Sequence, residues 1–241
     1  HVRTVRQFFK ALDAGKIPYQ DEAFTMAYRV FIYNNRIVEG YRIAQYAVQH
    51  QANSVNWRQK LAESATWMGD YNVAMREWLW VVQHTEDKKI MVKAMKTTQA
   101  LAYDQVLALM LTTYLEVYPT DNWAVIQLAQ TQNRLGQPDQ ALKNLSAIKP
   151  TPASMKLQAF ILADQGDWKQ ALQTWETLDR KFGFSVEASL NEANILMLQG
   201  DFEQALLRLK LAANKATNSQ HEFWDTLAAL AWRIHDDKWA R

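Results

Sequence analysis

The side chains that most often carry out chemistry are sparse in this sequence, and their spacing does not assemble a metal site. The five histidines are His1, His50, His84, His221 and His235. None has a partner histidine at the spacing that helical metal sites use, and the segment HEFWD at 221–225 differs from the H-E-x-x-H pattern. We interpret these histidines as solvated surface residues, and the sequence predicts neither a metal site nor a cofactor.

Nucleophilic and acid–base catalysis are not indicated either. Serine is sparse, and the G-x-S-x-G pattern of an activated serine does not occur. Carboxylates such as Glu63, Asp104 and Glu176 occupy ordinary positions on predicted helix surfaces. The glycines show neither the G-x-G-x-x-G nor the Walker spacing that cradles phosphate groups. We therefore expect no catalytic residues, and the sequence favours a protein that is not an enzyme.

Composition limits the classes of partner and compartment. The 241 residues include 27 basic and 25 acidic side chains, and a net charge of +2 does not indicate a nucleic-acid-binding surface. No stretch approaches the ~18 consecutive apolar residues of a membrane span. Cysteine is absent, which slightly favours an oxidising compartment. Because the chain starts at His1 and shows no signal peptide, we expect it to be a segment of a longer protein.

A short segment that begins with glycine recurs along the chain. Its copies are GDYNVA, GQPDQA, GDWKQA and GDFEQA, which start at Gly69, Gly136, Gly166 and Gly200. The intervals are 67, 30 and 34 residues, and the first is about twice the others. Counting in steps of about 34 residues predicts degenerate copies, with Asn35, a residue near 102 and His235 at the glycine place.

Each recurring segment has the chemistry of a tight turn between two helices. A glycine at the end of the first helix adopts the left-handed conformation without steric cost. Asp70, Asp167 and Asp201 follow, where a short carboxylate can accept backbone N–H groups as the second helix begins. The residue five positions after each glycine is alanine, which indicates that two helix backbones approach closely there.

These turns and the apolar periodicity predict an all-α protein. We expect an N-terminal helix over about 2–14, followed by helix pairs. The first helices of the pairs are expected near 21–33, 54–68, 88–101, 121–135, 153–165, 185–199 and 221–234. The second helices are expected near 36–50, 70–84, 104–117, 138–148, 167–181 and 201–215.

The period of about 34 residues, with small and apolar residues at fixed places, resembles the tetratricopeptide repeat. One unit carries the pattern at Pro119, Leu128, Ala129, Gly136, Ala141 and Leu145. The resemblance implies a right-handed superhelical solenoid of antiparallel helix pairs, with about six full repeats and partial ends, forming a single domain over 1–241. Its expected parts are an N-terminal helix over 1–20, repeats over 21–53, 54–87, 88–120, 121–150, 151–184 and 185–219, and a truncated partial repeat over 220–241.

The ten tryptophans divide into two groups by their place in the repeat. Four match bulky or turn-covering places and are expected to pack in the core: Trp78, Trp168, Trp175 and Trp224. Four match such places less neatly and could be either exposed binding anchors or fillers between repeats: Trp57, Trp67, Trp80 and Trp123.

In tetratricopeptide repeat proteins the first helices line a concave groove that binds partners. Transferred by repeat position, the resemblance implies a partner-binding groove formed by Gln59, Glu63, Trp67, Lys89, Lys93, Lys96, Trp123, Gln130, Asn133, Arg134, Lys156 and Phe160. The middle of this set is polar and basic with aromatic residues beside it, which would suit an acidic peptide or helix, or an extended polar polymer. The alternative is a solvated face without a partner.

The stretch LAESATWMGDYNVAMREWLWVVQH also resembles repeats of PelB-type proteins of bacterial exopolysaccharide export. This resemblance rests chiefly on Trp67, Trp78, Leu79 and Trp80. It implies a periplasmic scaffold that recruits polysaccharide-modifying enzymes, and our leading hypothesis is a non-catalytic protein-interaction scaffold of this kind. Two alternatives stay open: a solenoid that binds carbohydrate directly, and a cytosolic adaptor that binds a peptide tail.

Overall fold

The computed structural model describes residues 2–236 and 238–239, with side chains from residue 5 onward. Within these residues the secondary structure consists of 14 α-helices, without a β-strand, which confirms the all-α prediction. The helices are α1 (Val2–Asp13), α2 (Asp21–Tyr33), α3 (Ile37–His50), α4 (Val55–Met68), α5 (Tyr71–Gln83), α6 (Lys88–Ala100), α7 (Asp104–Val117), α8 (Asn122–Arg134), α9 (Pro138–Ser146), α10 (Pro152–Asp164), α11 (Trp168–Phe182), α12 (Val186–Leu198), α13 (Phe202–Ala212) and α14 (His221–Arg233).

From α2 onward the helices form six pairs, and α14 follows the last pair. The two helices of each pair are joined by a short turn and pack side by side. The observed bounds agree with the predicted ones to within one or two residues in most helices. The largest difference is in α13, which ends at Ala212 instead of near 215. The helix-pair architecture predicted from the repeat is therefore confirmed.

The turn that ends each first helix has one backbone geometry, whether or not it contains glycine. At the four glycine turns φ lies between +73° and +81°. Asn35, Ala102 and His235, at the predicted degenerate copies, have φ values of +56°, +58° and +61°. In all seven turns the next residue donates its N–H to the carbonyl five residues earlier, at 2.8–3.2 Å. This is the Schellman motif, which satisfies carbonyls at the helix end.

The start of each second helix follows the same logic. Asp70, Asp167 and Asp201 each accept a hydrogen bond from the backbone N–H three residues on, at 3.1–3.3 Å. The alanines five residues after the four glycines have no exposed surface. Gly40 holds this place in the first pair, and a Cβ on it would lie 2.6 Å from Ile32 Cδ1. A small residue is therefore required where the two helices cross.

The described residues group into two compact units, the first ending at Pro119 and the second beginning at Thr120. The first unit buries two indoles, Trp57 and Trp78, with exposures of 0% and 1%. Trp57 is fixed further by its Nε1–H, which donates to Asp21 Oδ1 of α2 at 2.6 Å. A buried indole with a satisfied N–H both fills volume and links neighbouring pairs.

The second unit contains several buried clusters along its helices. One surrounds Trp175 and includes Met155 and Leu178, with Trp168 packed against it. Another joins α12, α13 and α14 through residues such as Leu209 and Phe223, with Trp224 packed against it. The core packing predicted for Trp78, Trp168, Trp175 and Trp224 is therefore confirmed.

Two parts of the sequence-based expectation are not tested by this structure. The single solenoid over 1–241 and its right-handed superhelix stay predictions. In the terminal partial repeat, residues 237, 240 and 241 lie outside the described residues, as does His1 at the other end. Among the described helices, none combines the length and the apolar character that crossing a bilayer demands.

Candidate functional site

In the first unit, the three first helices α2, α4 and α6 are linked side by side. Tyr28 of α2 donates its hydroxyl hydrogen to the carbonyl oxygen of Lys60 in α4 at 3.1 Å. Lys93 of α6 places its Nζ 2.6 Å from Glu63 Oε1 of α4. We use the name first-helix surface for the solvent-facing side of α2, α4 and α6. Six of the predicted groove residues belong to α4 and α6: Gln59, Glu63, Trp67, Lys89, Lys93 and Lys96.

Glu63 lies at the centre of this surface and reduces its positive charge. The oxygen that pairs with Lys93 also accepts a hydrogen bond from Gln59 Nε2 at 2.8 Å. Glu63 is largely covered, with 15% of its side chain exposed, whereas that of Lys93 is 53% exposed. The structure thus brings Gln59, Glu63 and Lys93 together as one polar network. Lys89 and Lys96 lie exposed on the same helix as Lys93.

Two large aromatic rings on the first-helix surface remain in solvent. Trp67 lies one helical turn beyond Glu63 in α4 and is 53% exposed. Tyr33 holds the same repeat place one period earlier, in α2, and is 92% exposed. Repeat position alone could have identified Tyr33, because it lies two residues before Asn35 as Trp67 lies two residues before Gly69. Exposed aromatic residues of this size are typical of interaction sites.

The other tryptophans of uncertain role are more covered. Trp57 is fully buried, so it belongs to the core. Trp80 is half-buried between the Arg58 guanidinium, 4.2 Å from its ring centroid, and the His84 ring, stacked at 3.8 Å. Trp123 is half-buried near the start of α8. Of the four, Trp67 is therefore the one that presents its ring to solvent.

The predicted residues of α10, in the second unit, form local contacts of their own. Lys156 forms an ion pair with Glu187 of α12, so its charge is also neutralised in part. Phe160 is 41% exposed and meets Trp175 edge to face, with ring centroids 5.2 Å apart. Phe160 is therefore an aromatic side chain that is anchored on the core and still open to solvent.

The predicted residues of α8 are mostly engaged within that helix. Gln127 Nε2 donates to Gln130 Oε1 at 3.1 Å, and Arg134 Nη2 donates to Thr131 Oγ1 at 3.3 Å. Asn133 is half-buried and Arg134 is exposed. These contacts position polar groups at the surface of α8 but do not assemble a recognisable site.

An apolar cavity that the sequence analysis did not predict lies among α12, α13 and α14. It measures about 610 Å³, and its lining includes Met197, Phe202 and Trp232. Trp232 is 75% exposed, and Arg233 places its guanidinium carbon 4.1 Å from the Phe202 ring centroid. None of the predicted groove residues lies in this cavity, because none was transferred from the repeats beyond Phe160.

Burial shifts the pKa of two groups on the first helices. Burial lowers the pKa of Lys60, and the positive charge of Arg29 lowers it further. Burial raises the pKa of Glu192 in α12 to about 7, although Arg208 Nη1, 3.4 Å away, acts in the opposite direction. Glu192 is 2% exposed, so its carboxyl group has little access to solvent.

The described part of the chain does not contain a group of three or more His, Asp or Glu side chains that could hold a metal ion. The expected absence of a cofactor and of enzymatic activity stays a prediction. Each unit exposes helix faces that carry aromatic and charged side chains. Such faces are suited to contacts with a macromolecule.

Comparisons with known proteins identify the class of fold. Family models described as tetratricopeptide repeat match residues 122–142, 157–177 and 177–241. Among curated protein sequences, none matches this chain significantly.

Several solved structures are similar in fold to this chain. The structure of Naa15/Naa10 bound to HypK-THB aligns with a TM-score of 0.69 at 14% identity, covering 95% of this chain and 36% of that chain. A tetratricopeptide repeat protein from Parabacteroides merdae aligns at 0.52 and 11% identity, covering 91% and 88%. YrrB, described as a tetratricopeptide repeat protein with an unusual peptide-binding site, aligns at 0.50 and 14% identity, covering 80% and 97%.

At these identities the structural likeness concerns the fold alone. The chain spans about a third of the length of the first of these structures. The family models match less than half of the chain, all within the second unit, and together with the structural neighbours they support a tetratricopeptide repeat fold. They do not support a specific relation to PelB-type proteins, and that resemblance rests on the sequence stretch alone.

Proposed function

We propose that this protein is a non-catalytic interaction scaffold that binds a segment of a partner protein on the first-helix surface. The observation that carries the proposal is Trp67, a large aromatic ring that is 53% exposed on α4 while the nearby Trp57 and Trp78 are buried. Tetratricopeptide repeat proteins are generally non-catalytic scaffolds. YrrB shows that a peptide-binding site can occur on this fold.

The chemistry of the surface favours an acidic or amphipathic segment. Trp67 and Tyr33 offer apolar contact area at the same place of adjacent repeats, and Lys89 and Lys96 provide positive charge on α6. Because the helices are already folded and stacked, the partner segment bears most of the ordering cost on binding. Lys93 contributes less positive charge to the surface than Lys89 or Lys96 does, because it already forms an ion pair with Glu63.

The more specific proposal is a periplasmic scaffold of bacterial exopolysaccharide secretion that recruits polysaccharide-modifying enzymes. Its support is the resemblance of the segment 61–84 to PelB-type repeats, together with the absence of cysteine from the chain. A cytosolic adaptor that binds a peptide tail is the alternative of the same class.

Site-specific photo-crosslinking tests the interaction surface directly. A benzophenone amino acid replaces Trp67 in one variant and Leu109 in the control, because Leu109 is 55% exposed but lies on the second helix α7. We expect one partner to be crosslinked at position 67 and not at position 109. The same products from both positions, or none from position 67, would contradict the proposal.

Charge reversal then tests the electrostatic part of the proposal. In the benzophenone variant at position 67, Lys89→Glu and Lys96→Glu together should weaken capture of an acidic partner, whereas Lys16→Glu, outside the surface, should not. If both sets of substitutions leave capture unchanged, the lysines do not contribute to binding.

Direct carbohydrate binding is the second candidate function, because exposed Trp67, Tyr33 and Phe160 are rings on which sugars could stack. Titration with neutral and charged exopolysaccharides, followed by tryptophan fluorescence, tests it. We expect a saturable change that is lost in Trp67→Ala, and a flat response to every polymer would remove this candidate.

A further inference from the structure

A charged cavity lies between α1 and α3 of the first unit, outside the first-helix surface. Its volume is about 270 Å³. Four basic side chains line it, together with the two carboxylates Asp13 and Glu39: Arg6 and Lys10 from α1, Arg36 from the residue before α3, and Arg42 from α3. The lining therefore carries four positive and two negative charges, which leaves a net charge of +2.

The two carboxylates are already paired with Arg36 and Arg42. Arg42 Nη2 donates to both carboxylate oxygens of Asp13, at 2.9 and 2.8 Å, and thereby links α3 to α1. Its guanidinium carbon lies 4.1 Å from the Phe9 ring centroid. Arg36 forms an ion pair with Glu39. Each ion pair holds its guanidinium group in place, and the positive charge of the arginine is neutralised by the negative charge of its carboxylate partner.

Arg6 and Lys10 account for the remaining positive charge. They are four residues apart on α1, so they lie on the same side of the helix in successive turns. Both are exposed, and within the described residues neither forms an ion pair. Two uncompensated cations in the lining of a concave, partly apolar cavity favour an anion more than two cations on a flat surface do.

We propose that this cavity binds a phosphate group. A dianion matches the net charge of +2, and its oxygens could accept hydrogen bonds from Arg6 and Lys10, while the paired guanidinium groups of Arg36 and Arg42 also line the cavity. The buried ring of Phe9, over which the Arg42 guanidinium lies, reduces solvent access on one side of the cavity. Charge-assisted hydrogen bonds are stronger where water is partly excluded. The phosphate can be a free ion or a phosphoryl group on a peptide, which share this chemistry.

The site is independent of the proposed partner-binding surface. It is formed by α1 and by a second helix, α3, whereas the first-helix surface is formed by α2, α4 and α6. A phosphate site here would add a second contact point, through which a phosphorylated ligand could bind whether or not the first-helix surface is occupied.

Titration of the whole chain by NMR tests the proposal. Inorganic phosphate, a phosphoserine peptide and its unphosphorylated counterpart are added separately at constant ionic strength. We expect saturable shifts of the amides of α1 and α3 with phosphate, with the phosphopeptide, or with both, and none with the unphosphorylated peptide. Shifts with free phosphate alone identify a small-molecule source, and shifts with the phosphopeptide alone identify a protein source.

Paired variants connect these shifts to the cavity. Arg6→Gln with Lys10→Gln should weaken binding at least about tenfold, because hydrogen bonds to charged groups are lost. The control, Lys143→Gln with Lys169→Gln, removes two exposed positive charges from α9 and α11, outside both proposed sites, and should leave the affinity within about twofold. Circular dichroism melts verify that both variants fold. An absence of saturation in the unmodified chain, or equal weakening in both variants, would overturn the proposal.

Discussion

Ala102 is the residue whose conformation is least favourable for its type. It lies in the turn after α6 with φ at +58°, a left-handed conformation that glycine adopts at four of the equivalent turns. In an L-residue the Cβ crowds the following carbonyl in this conformation. The Schellman hydrogen bond from Tyr103 N–H to Thr98 carbonyl oxygen, at 3.2 Å, is nevertheless formed. The surrounding helix pair therefore stabilises a conformation that the residue itself disfavours.

Replacing Ala102 with glycine should relieve this strain. We expect Ala102→Gly to raise the free energy of unfolding by roughly 0.5–1 kcal/mol, because the gain in the folded state exceeds the entropy that glycine adds to the unfolded chain. Urea denaturation measures the change. The control is Ala23→Gly, at an exposed helical position of α2, which should destabilise. Destabilisation by both substitutions would show that Ala102 is not strained.

At the scale of single residues, the repeat period predicted the positions of the left-handed turns better than residue type did. It located Asn35, residue 102 and His235 at the glycine place, and the backbone has the left-handed conformation at all three. The period could not distinguish Trp57 from Trp67, because both belong to α4 and only packing against α2 decides which ring is buried. The indole N–H of Trp57 reaches Asp21, a contact between residues 36 positions apart that no local pattern contains.

At the scale of single elements, the second helices of the first unit share a feature at their C-terminal ends. In α3, α5 and α7, a ring in the last turn is followed four residues later by another ring that packs against it: Tyr46 and His50, Trp80 and His84, Tyr114 and Tyr118. Both histidine rings also approach the carbonyl oxygen four residues earlier, at 2.9 and 2.8 Å. His50 and His84, which the sequence indicated only as solvated surface residues, therefore help to cover helix ends.

Helix α12 contains a buried carboxyl group that should make the stability of the second unit depend on pH. Glu192 is buried, and the pKa of its carboxyl group is raised to about 7 from an ordinary value of 4.5. Burial is the main cause, and the nearby carboxylates of Asp179 and Glu176 add to it. A group whose pKa is higher in the folded state stabilises the fold most below its unfolded pKa, and this contribution is lost as pH rises towards the folded value.

We therefore expect the second unit to lose stability between about pH 4.5 and pH 7 because of Glu192. Glu192→Gln stays neutral, so its melting temperature should exceed that of the unmodified chain at pH 8 and show a smaller decrease between pH 5 and pH 8. Thermal melts across this range measure the difference. Glu203→Gln, at an exposed position on α13, is the control and should follow the unmodified chain. Parallel curves for Glu192→Gln and the unmodified chain would contradict this assignment.

The bounds of the elements were largely predictable because their ends are chemically marked. Glycine, aspartate and proline delimit α10 and α11, where Thr151 and Ser154 form a reciprocal capping box and Asp167 caps the next helix. The end of α13 carries no such signal, and the prediction was three residues too long there. Contacts between helices, such as the pairing of Lys93 with Glu63, depend on side-chain reach and could not be predicted from repeat position.

At the scale of the whole molecule, the chain divides into two compact units at Pro119 and Thr120. In repeat proteins stability is approximately a sum over units and their nearest neighbours, so a local defect should have a local effect. Trp57 and Trp175 provide a matched pair for this question, because both are tryptophans with 0% exposure and they lie in different units.

Hydrogen exchange on two variants should reveal this locality. Trp57→Ala should reduce amide protection mainly in α2–α5, and Trp175→Ala mainly in α10–α12, each by an amount in line with the ~3–5 kcal/mol cost of removing a buried tryptophan. Each variant serves as the control for the other. Equal loss of protection throughout the chain in both variants would mean that the two units unfold as one.

The seven left-handed turns also have a practical use. A Cβ placed on Gly69, Gly136, Gly166 or Gly200 meets no other atom within 4 Å, so side chains at these bends point into open space. Asn35 already carries a side chain there, and the chain has no cysteine of its own. A single thiol introduced by Asn35→Cys would thus be a unique attachment point for a fluorophore or a solid support, although cysteine, unlike asparagine, is strained in the left-handed conformation of this bend.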